Sequence, residues 1–428
     1  MAFSLKFFVQ KNLLRAKTVL NWVRGWLDYH LLPERPLDLS DPDGHPVVLF
    51  LGDFMQARIP RMVKWIRRDG RYRCAVMVSK GKAFYLHDNA DFSRVLEFSS
   101  IWHLRRMIRD LRGVALVHGF TIPSYQIRPV IDMRPDLPVL MDIQDLWSSY
   151  YGPKSPRLYM QIDQNHERFC LARADGLISH SMELVYAIRA YEIPQRPPTL
   201  FFPLFCDEDY LIEPTARRED DEIHLVYAGS IGGSFQDDRD FGNIKFRPLI
   251  ERLNRQGIHF HIYPAPTMRF QDIILAEYQA MDREFPYFHL HGSVSQRELG
   301  EALSQYHYGI LPFYQADTAR SVQKYLLQTS QKMFNYIEAG LPVIIARDLH
   351  FHHWMARSFA SAVVVDKPDW DHLADILTPL DYPELQRQVI QKRQRILLGQ
   401  HIPQLLRFYD QTIQHKPQAA VPSQAASS

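Results

Sequence analysis

Cysteine is scarce in this chain of 428 residues: the three cysteines, Cys74, Cys170 and Cys206, lie far apart and form no CxxC pair. That spacing argues against a zinc site or a disulfide framework and fits a reducing cytoplasm. No apolar run approaches the ~20 residues that span a bilayer, and the first residues lack the small-residue cleavage site of a signal peptide. The formal net charge is only +2, which gives no reason to expect a nucleic-acid partner. The remaining composition is that of an ordinary globular protein long enough for two domains.

Residues 1–31 differ in character from the rest of the chain. Apolar residues recur there at helical spacing, and Asp28 is the one acid. Five basic residues are interleaved with them, namely Lys6, Lys11, Arg15, Lys17 and Arg24. This pattern predicts an amphipathic helix that either lies on an anionic membrane surface or packs on the body of the protein. The next stretch, LPERPLDLSDPDGHP, is interpreted as a linker.

From residue 47 onward, short apolar strands alternate with helices. VVLFLG, VALVHGF and LPVLMDIQDLW are typical of strands, whereas ARIPRMVKWIRRDG and RLYMQIDQNHERFCLARA are typical of helices. After the irregular, proline-rich IPQRPPTLFFPLFCDEDY, a second series begins at IHLVYAGSIGG and ends near SAVVVD. Strands of this kind indicate parallel sheets covered on both faces. We therefore expect an α/β protein of two Rossmann-like domains that face each other across a cleft, with ligands beyond the carboxyl ends of the strands.

These patterns divide the chain into five parts. They are an amphipathic helix and linker (1–46), a first Rossmann-like domain (47–205), a second one (206–367), helices that pack back across the hinge (368–413) and a disordered tail (414–428).

The most specific motif is KMFNYIEAGLPVI, residues 332–344. Together with GSVSQRELGEALSQYHYGILPF, VYAGSIGG and ADGLISHSMEL, it resembles the GT-B glycosyltransferases, in particular the retaining family 4. The resemblance covers residues 47–365. It implies a GT-B fold, a nucleotide-sugar donor bound mainly by the second domain and an acceptor bound by the first.

The donor side is predicted from the chemistry of a diphosphate. Backbone N–H groups at glycines and at a helix amino terminus neutralise phosphates without a metal. The predicted donor-binding residues are Gly229, Ser230, Gly232, Gly233, His291, Lys332, Asn335, Tyr336 and Glu338. Lys332 supplies a point charge, Asn335 and Tyr336 face the nucleoside, and Gly340 ends the helix in the left-handed conformation.

Two positions depart from the family pattern. The family has a glutamate for the donor ribose where this chain has Asn335, and an arginine is common where this chain has Ser230. An amide still accepts one hydrogen bond and donates another. The histidines of HFHH, residues 350–353, are adjacent in sequence, which is a poor arrangement for binding one ion, so no metal or other cofactor is expected.

On the acceptor side, polar residues follow strand ends. His118, Asp142 and Asp145 are the catalytic candidates, as a base or as groups that activate an acceptor hydroxyl. A hydrogen-bonded strand-end histidine and a helix cap by Asp145 are the alternatives. Gly52, His180 and Ser181 are predicted to line the acceptor side of the cleft.

The resulting hypothesis is a metal-independent, retaining glycosyltransferase that moves a sugar from a nucleotide sugar to a glycan, lipid-linked or other acceptor. It would act in polysaccharide biosynthesis in the cytoplasm, with residues 1–31 as a peripheral contact to the inner face of the membrane. Two alternatives keep the fold: a sugar-nucleotide epimerase, for which no dedicated acids are evident, and a non-catalytic binding or scaffold protein, which the Asn335 and Ser230 departures favour.

Overall fold

The computed structural model describes residues 19–53, 58–82, 91–121, 124–214, 222–266, 270–312 and 322–416. Residues 1–18 of the predicted amphipathic helix and residues 417–428 of the predicted tail lie outside this part. The described remainder of the first segment is helix α1, residues 19–31. Among the described residues, no helix is long and apolar enough to cross a membrane.

The first large sheet has seven parallel strands in the order β4-β3-β2-β6-β7-β8-β9. Their bounds are β2 Val47–Gly52, β3 Arg73–Ser79, β4 Arg94–Phe98, β6 Leu116–Phe120, β7 Val139–Ile143, β8 Gly176–Ser179 and β9 Thr199–Phe201. The helices that cover this sheet are α2 Arg58–Asp69, α3 Ile101–Asp110, α4 Arg128–Met133, α5 Trp147–Tyr151, α6 Leu158–Arg173 and α7 Glu183–Ala190. β2 and β7 are buried along their whole length, as expected for strands covered on both faces.

The second sheet has six parallel strands in the order β12-β11-β10-β13-β14-β15. The strands are β10 His224–Gly229, β11 His259–Pro264, β12 Phe288–Leu290, β13 Tyr308–Leu311, β14 Val343–Ala346 and β15 Ala362–Val365. The helices between them are α8 Asp238–Phe241, α9 Arg247–Arg255, α10 Gln271–Glu284, α11 Gln296–Ser304, α12 Val322–Leu327, α13 Gln331–Glu338 and α14 His350–Phe359. The predicted two-sheet α/β architecture is therefore present.

Four short strands differ from the sequence interpretation. Residues 32–46 are not only a linker, because β1 Leu37–Asp38 pairs in parallel with β5 Leu111–Arg112. The stretch interpreted as irregular contains β9, an edge strand. The pattern also missed β4, whose residues are mostly exposed because it is the other edge of the sheet.

The C-terminal helices connect the two sheets. They are α15 Leu373–Leu377, α16 Tyr382–Arg393 and α17 Leu398–His415. Helix α17 packs against α2 of the first domain, where the Tyr72 hydroxyl donates to Asp410. At Gly176 a Cβ atom would lie 2.9 Å from the ring of Phe408, so the helix sits directly on β8. The last helix thus returns to the first sheet.

Candidate functional site

A cavity of about 390 Å³ lies between the two sheets, at the carboxyl ends of their strands. The first domain contributes residues that follow β7 and β8, and the second contributes residues that follow β10 and β11 and the start of α13. The lining includes Arg58, Gln144, Asp145, His180, Gly229, Ser230, Tyr263, Gln296, Lys324, Thr329, Ser330, Gln331, Lys332 and Asn335. Polar groups from widely separated parts of the chain therefore converge on one cleft.

Lys332 and Gly229 form the centre of the second domain's contribution. Ser330 caps the start of helix α13, where its side chain accepts a hydrogen bond from the backbone N–H of Lys332. The Lys332 side chain crosses the end of β10, and a Cβ atom at Gly229 would lie 2.2 Å from its Cε. Burial, together with repulsion from Lys324, lowers the pKa of Lys332 to about 8. The cleft thus holds a desolvated ammonium group beside a helix amino terminus, which is an arrangement for binding an anion.

A second lysine joins the two domains across the cleft. The Nζ of Lys324, on α12, lies 2.5 Å from Oδ1 of Asp145, which follows β7 in the first domain. Lys324 also bonds the hydroxyl of Tyr150 on α5. Burial lowers the pKa of Lys324, and the attraction of Asp145 opposes that shift. Asp145 therefore lines the cleft as an ion-pair partner, a role that the sequence did not predict for it.

Arg58 is a cleft cation that the sequence analysis missed. Its guanidinium donates to Oδ1 of Asp142 over 2.9 Å and to the carbonyl oxygen of Phe202 over 3.0 Å. Its side chain is buried although the residue begins helix α2. Arg58 is the first residue of an amphipathic helix. An arginine in that position is usually solvated, so nothing in the sequence pattern indicated that it enters the cleft.

His118 and Asp142 lie behind Arg58, and neither belongs to the described cavity lining. His118 is fully buried, with Nδ1 2.7 Å from the hydroxyl of Tyr409 and Nε2 3.1 Å from Oδ2 of Asp142. Burial lowers the pKa of His118 despite the neighbouring carboxylate. Burial alone would raise the pKa of Asp142, but Arg58 and His118 hold it below its usual value. These two catalytic candidates are therefore interior residues. Asp142 holds Arg58, His118 holds Tyr409 of α17, and the two side chains bond each other.

Of the three residues predicted for the acceptor side, one lines the cavity and two do not belong to its described lining. His180 lines the cavity, and its Nδ1 donates to the carbonyl oxygen of Ile143 over 2.6 Å. Burial and the nearby Arg58 lower the pKa of His180 to about 4, so its ring is neutral and Nε2 carries the lone pair. The Ser181 hydroxyl instead donates to the Glu183 carboxylate and accepts from the Glu183 backbone N–H at the start of α7, and Gly52 is buried at the end of β2. Neither belongs to the described lining.

The predicted residues on α13 point in different directions. Asn335 lines the cavity, and its Oδ1 accepts from Arg61 over 3.3 Å. Glu338, one turn later, bonds Arg61 and the backbone N–H of Asp207 and lies outside the described lining. The Tyr336 hydroxyl accepts from the Ala228 N–H and donates to the Ile310 carbonyl oxygen, both over 3.2 Å. Tyr336 is therefore buried against the sheet and is not among the described residues that line the cavity, since its position is one helical step away from the cleft side.

The glycine loop is only partly available to a ligand. Gly229 and Ser230 line the cavity. The Gly232 N–H donates to the Ile244 carbonyl oxygen over 2.7 Å, and the Gly233 N–H donates to Gln236 over 2.8 Å. Both N–H groups are thus used to shape the loop. His291 lies behind the wall of the cleft, stacked on the lining residue Tyr263 with ring centroids 4.4 Å apart.

The end of helix α13, inside the motif of residues 332–344, matches its prediction. Gly340 has φ +75° in the left-handed region, and β14 begins three residues later. A Cβ atom at Gly340 would lie 2.6 Å from Pro214. Both the conformation and the close approach therefore favour glycine.

Comparisons with known proteins agree on the fold. Residues 253–407 match the family described as "Glucosyltransferase 3-like, C-terminal domain". No curated protein matches the chain in sequence. Sucrose-phosphate synthase from Thermosynechococcus elongatus is similar in structure, with a TM-score of 0.61 at 11% identity over 86% of this chain and 99% of that one.

Two further structures have the same architecture. Anabaena HepE in complex with UDP-glucose gives a TM-score of 0.58 at 11% identity, over 85% of this chain and 100% of that one. A glycosyltransferase from Rickettsia africae gives a TM-score of 0.59 at 10% identity, over 87% of this chain and 99% of that one. At these identities the likeness shows the fold, and retaining family 4 stays a prediction. The chain therefore has the GT-B fold of two facing Rossmann-like domains, and its C-terminal part is similar to the glucosyltransferase 3-like domain.

Proposed function

We propose that this protein transfers a sugar from a nucleotide-sugar donor to an acceptor hydroxyl. The observation that carries the proposal is the position of Lys332, whose ammonium group lies over Gly229 at the amino terminus of α13 inside the interdomain cleft. The match of residues 253–407 to a glucosyltransferase-like domain supports it independently. The similar HepE structure is a complex with UDP-glucose, so UDP-sugars are the first donors to test.

The donor diphosphate would bind between Lys332 and Lys324, with the first turn of α13 adding the positive end of its dipole. These groups stabilise the diphosphate as it departs, so no metal is required in this proposal. The amide of Asn335 would hold the ribose: Oδ1 already accepts from Arg61, and Nδ2 is a donor for a ribose oxygen.

The sugar would lie toward the first domain, near His180 and Arg58. A neutral His180 accepts a hydrogen bond from a sugar hydroxyl through Nε2, because Nδ1 already donates to Ile143. Arg58 brings a fixed positive charge to the same wall. Catalysis then rests on positioning and on the stabilised leaving group, and retention of configuration is proposed from the family resemblance alone. The acceptor is proposed to be a glycan or lipid-linked hydroxyl of a surface-polysaccharide pathway in the cytoplasm.

A second part of the proposal concerns helix α1, which we infer contacts an anionic membrane surface. One side of α1 packs on the first domain, where a Cβ atom at Gly25 would lie 2.1 Å from Oγ of Ser100. The other side exposes an apolar stripe at helical spacing, formed by Leu20, Val23, Leu27 and Leu31. The basic residues of segment 1–31 supply the charge complementary to anionic lipid. The packed side of α1 agrees with one interpretation drawn from the sequence, and the exposed apolar stripe supports our proposal of the other.

Calorimetric titration against UDP-, GDP-, ADP- and TDP-sugars tests the donor site. We expect one nucleotide to bind and the affinity to be lost in Lys332→Ala, while Lys80→Ala, an exposed lysine of the first domain, binds as the wild type does. No binding by the folded protein would contradict the donor site.

Turnover separates the remaining functions. Release of nucleotide diphosphate that depends on an added acceptor indicates transfer. Binding without turnover supports the non-catalytic alternative, and interconversion of the sugar without loss of the nucleotide supports the epimerase.

A further inference from the structure

Five histidines lie along one part of the second sheet. His224 is on β10, His259 and His261 are on β11, His289 is on β12, and His291 comes directly after β12. In the register of the parallel strands, His224 pairs with His259, and His261 pairs with His289. Residues two apart on a strand project from the same face. The sheet therefore gathers five imidazoles from three strands.

Ring nitrogens in this stripe contact one another directly. Nδ1 of His224 lies 2.9 Å from Nε2 of His261, and Nδ1 of His261 lies 3.0 Å from Nε2 of His291. Nδ1 of His259 lies 2.8 Å from Nε2 of His289. A hydrogen bond between two imidazoles needs a lone pair on one ring, which a neutral ring supplies. Neutral imidazole is also the form that binds transition metals.

We propose that His224, His259 and His261 form a binding site for a transition-metal dication such as zinc. One ring nitrogen from each of the three lies within 4.8 Å of the other two. Zinc–nitrogen bonds of about 2.0–2.1 Å in a tetrahedral site keep ligand nitrogens roughly 3.4 Å apart. The rings of His224 and His259 are stacked, with centroids 4.3 Å apart and planes 13° apart, so both rings would turn to direct their in-plane lone pairs at one ion. The ion takes the place of the direct contact between His224 and His261.

The surrounding residues match the outer shell of such a site. His261 has Nε2 toward His224 and Nδ1 on His291, so one nitrogen is held while the other coordinates. Both ring nitrogens of His259 have partners: Nδ1 contacts Nε2 of His289, and Nε2 lies 2.5 Å from the carboxylate of Glu222. An ion bound through Nε2 would replace the Glu222 contact, while His289 would keep its hold on Nδ1. Partners of this kind orient metal-binding imidazoles and raise their basicity. His259 is partly exposed, which gives an ion access from solvent.

The site is separate from the proposed diphosphate site but touches the wall of the cleft. None of the three ligands is among the described residues that line the cavity. His291, which bonds His261, stacks on Tyr263, and the Tyr263 hydroxyl lies 2.8 Å from that of Tyr306. A bound ion would therefore stabilise the second domain and hold Tyr263 in place. This inference does not depend on the proposed function.

The test uses the full-length, untagged protein after chelator treatment, titrated with Zn²⁺ and Co²⁺ at pH 7.5. We expect one ion per chain, a Co²⁺ absorption spectrum of nitrogen coordination, and a rise of the unfolding temperature with Zn²⁺. His259→Gln should weaken Zn²⁺ binding at least tenfold, and His289→Gln, in the outer shell, by about 10- to 100-fold. The exposed His415→Gln serves as the matched control and should bind like the wild type.

Two results would overturn the site. One is the absence of Zn²⁺ binding even at an ion concentration of about 100 μM, which is high enough to detect a weak, adventitious site. The other is an affinity that stays the same in both His224→Gln and His259→Gln. Because the Co²⁺ spectrum is recorded on the wild-type protein, the test remains decisive even where the buried His224→Gln variant does not fold.

Discussion

The side chain of Lys332 crosses the end of strand β10 at Gly229, in space that any other residue would fill. The two positions are about a hundred residues apart in sequence, yet a Cβ atom at Gly229 would lie 2.2 Å from Cε of Lys332. Gly229 also has φ +150°, which side chains rarely adopt. The glycine therefore determines where the cleft ammonium group can be.

Gly229→Ala should displace Lys332 and weaken nucleotide-sugar binding by at least tenfold, because the methyl group and the lysine methylene cannot share the same space. Gly292→Ala is the matched control, since a Cβ atom there meets nothing within 4 Å. Calorimetric titration of both variants checks the prediction. Equal donor affinity of the two variants would show that the position of Lys332 does not depend on Gly229.

Lys332→Met should raise the unfolding temperature at pH 7 by about 2–4 °C while it removes donor binding. The pKa of Lys332 is lowered to about 8, so the folded protein bears the cost of a desolvated ammonium group at lower pH. That cost disappears as the pH rises from 8 toward the unfolded value near 10.5. Calorimetric scans at pH 7 and pH 10 check the sign, and a destabilised variant at pH 7 would contradict it.

Arg61→Ala should cost about 3–5 kcal/mol of stability, because it leaves the carboxylate of Glu338 buried without its cation. Arg61 on α2 and Glu338 on α13 join the two domains, and both side chains are buried. Arg68→Ala, on the same helix, removes an exposed pair with Asp209 and should cost about 1 kcal/mol or less. Denaturant unfolding of both variants provides the measurement. Adding Glu338→Gln to Arg61→Ala should recover part of the loss, and no recovery would mean that the lost packing dominates.

Three fully buried or nearly buried histidines with lowered pKa values, His118, His180 and His352, should each make stability fall as the pH drops from 6.5 to 4, because they take up protons only on unfolding. Burial lowers the pKa of His180 to about 4 and that of His352 to about 3. Below the ordinary value of 6.5 the unfolded chain binds more protons, so each histidine contributes a slope of about 1.4 kcal/mol per pH unit. His352→Leu should reduce the slope by about 1.4 kcal/mol per pH unit, whereas the exposed His415→Leu should leave it unchanged. A His352→Leu slope equal to that of the wild type would refute this assignment.

Binding to vesicles that contain anionic lipid should depend on the exposed stripe of α1. Leu20 is 70% exposed and Leu27 is 42% exposed. The double variant Leu20→Ser and Leu27→Ser should lose most of its vesicle binding in a sedimentation assay, as should deletion of residues 1–31. Val95→Ser, at a similarly exposed apolar residue on β4, is the control. Retained binding of the deletion variant would remove the membrane proposal, and a dimer that dissociates on mutation would indicate a second copy of the chain as the occupant.

The sequence alone determined the alternation of strands and helices and the block at residues 332–344. Local rules are sufficient for both: buried parallel strands are continuous apolar runs, and a helix that must stop before a strand takes a left-handed glycine. The same block indicated Lys332 and Asn335, because a helix amino terminus next to a lysine is recognisable within a few residues. Edge strands such as β4 were missed, since their exposed residues have no apolar pattern.

Only the tertiary structure decided which polar residues share the cleft. Arg58 reaches Asp142 across 84 residues, and Lys324 reaches Asp145 from the other domain. It also assigned His118, Asp142 and Tyr336 to the interior and assembled the histidine stripe from three strands. Such placements depend on strand order, register and domain packing, which arise from contacts between distant residues. A pattern of neighbouring residues does not determine these placements, because the same local motif can pack against different distant residues.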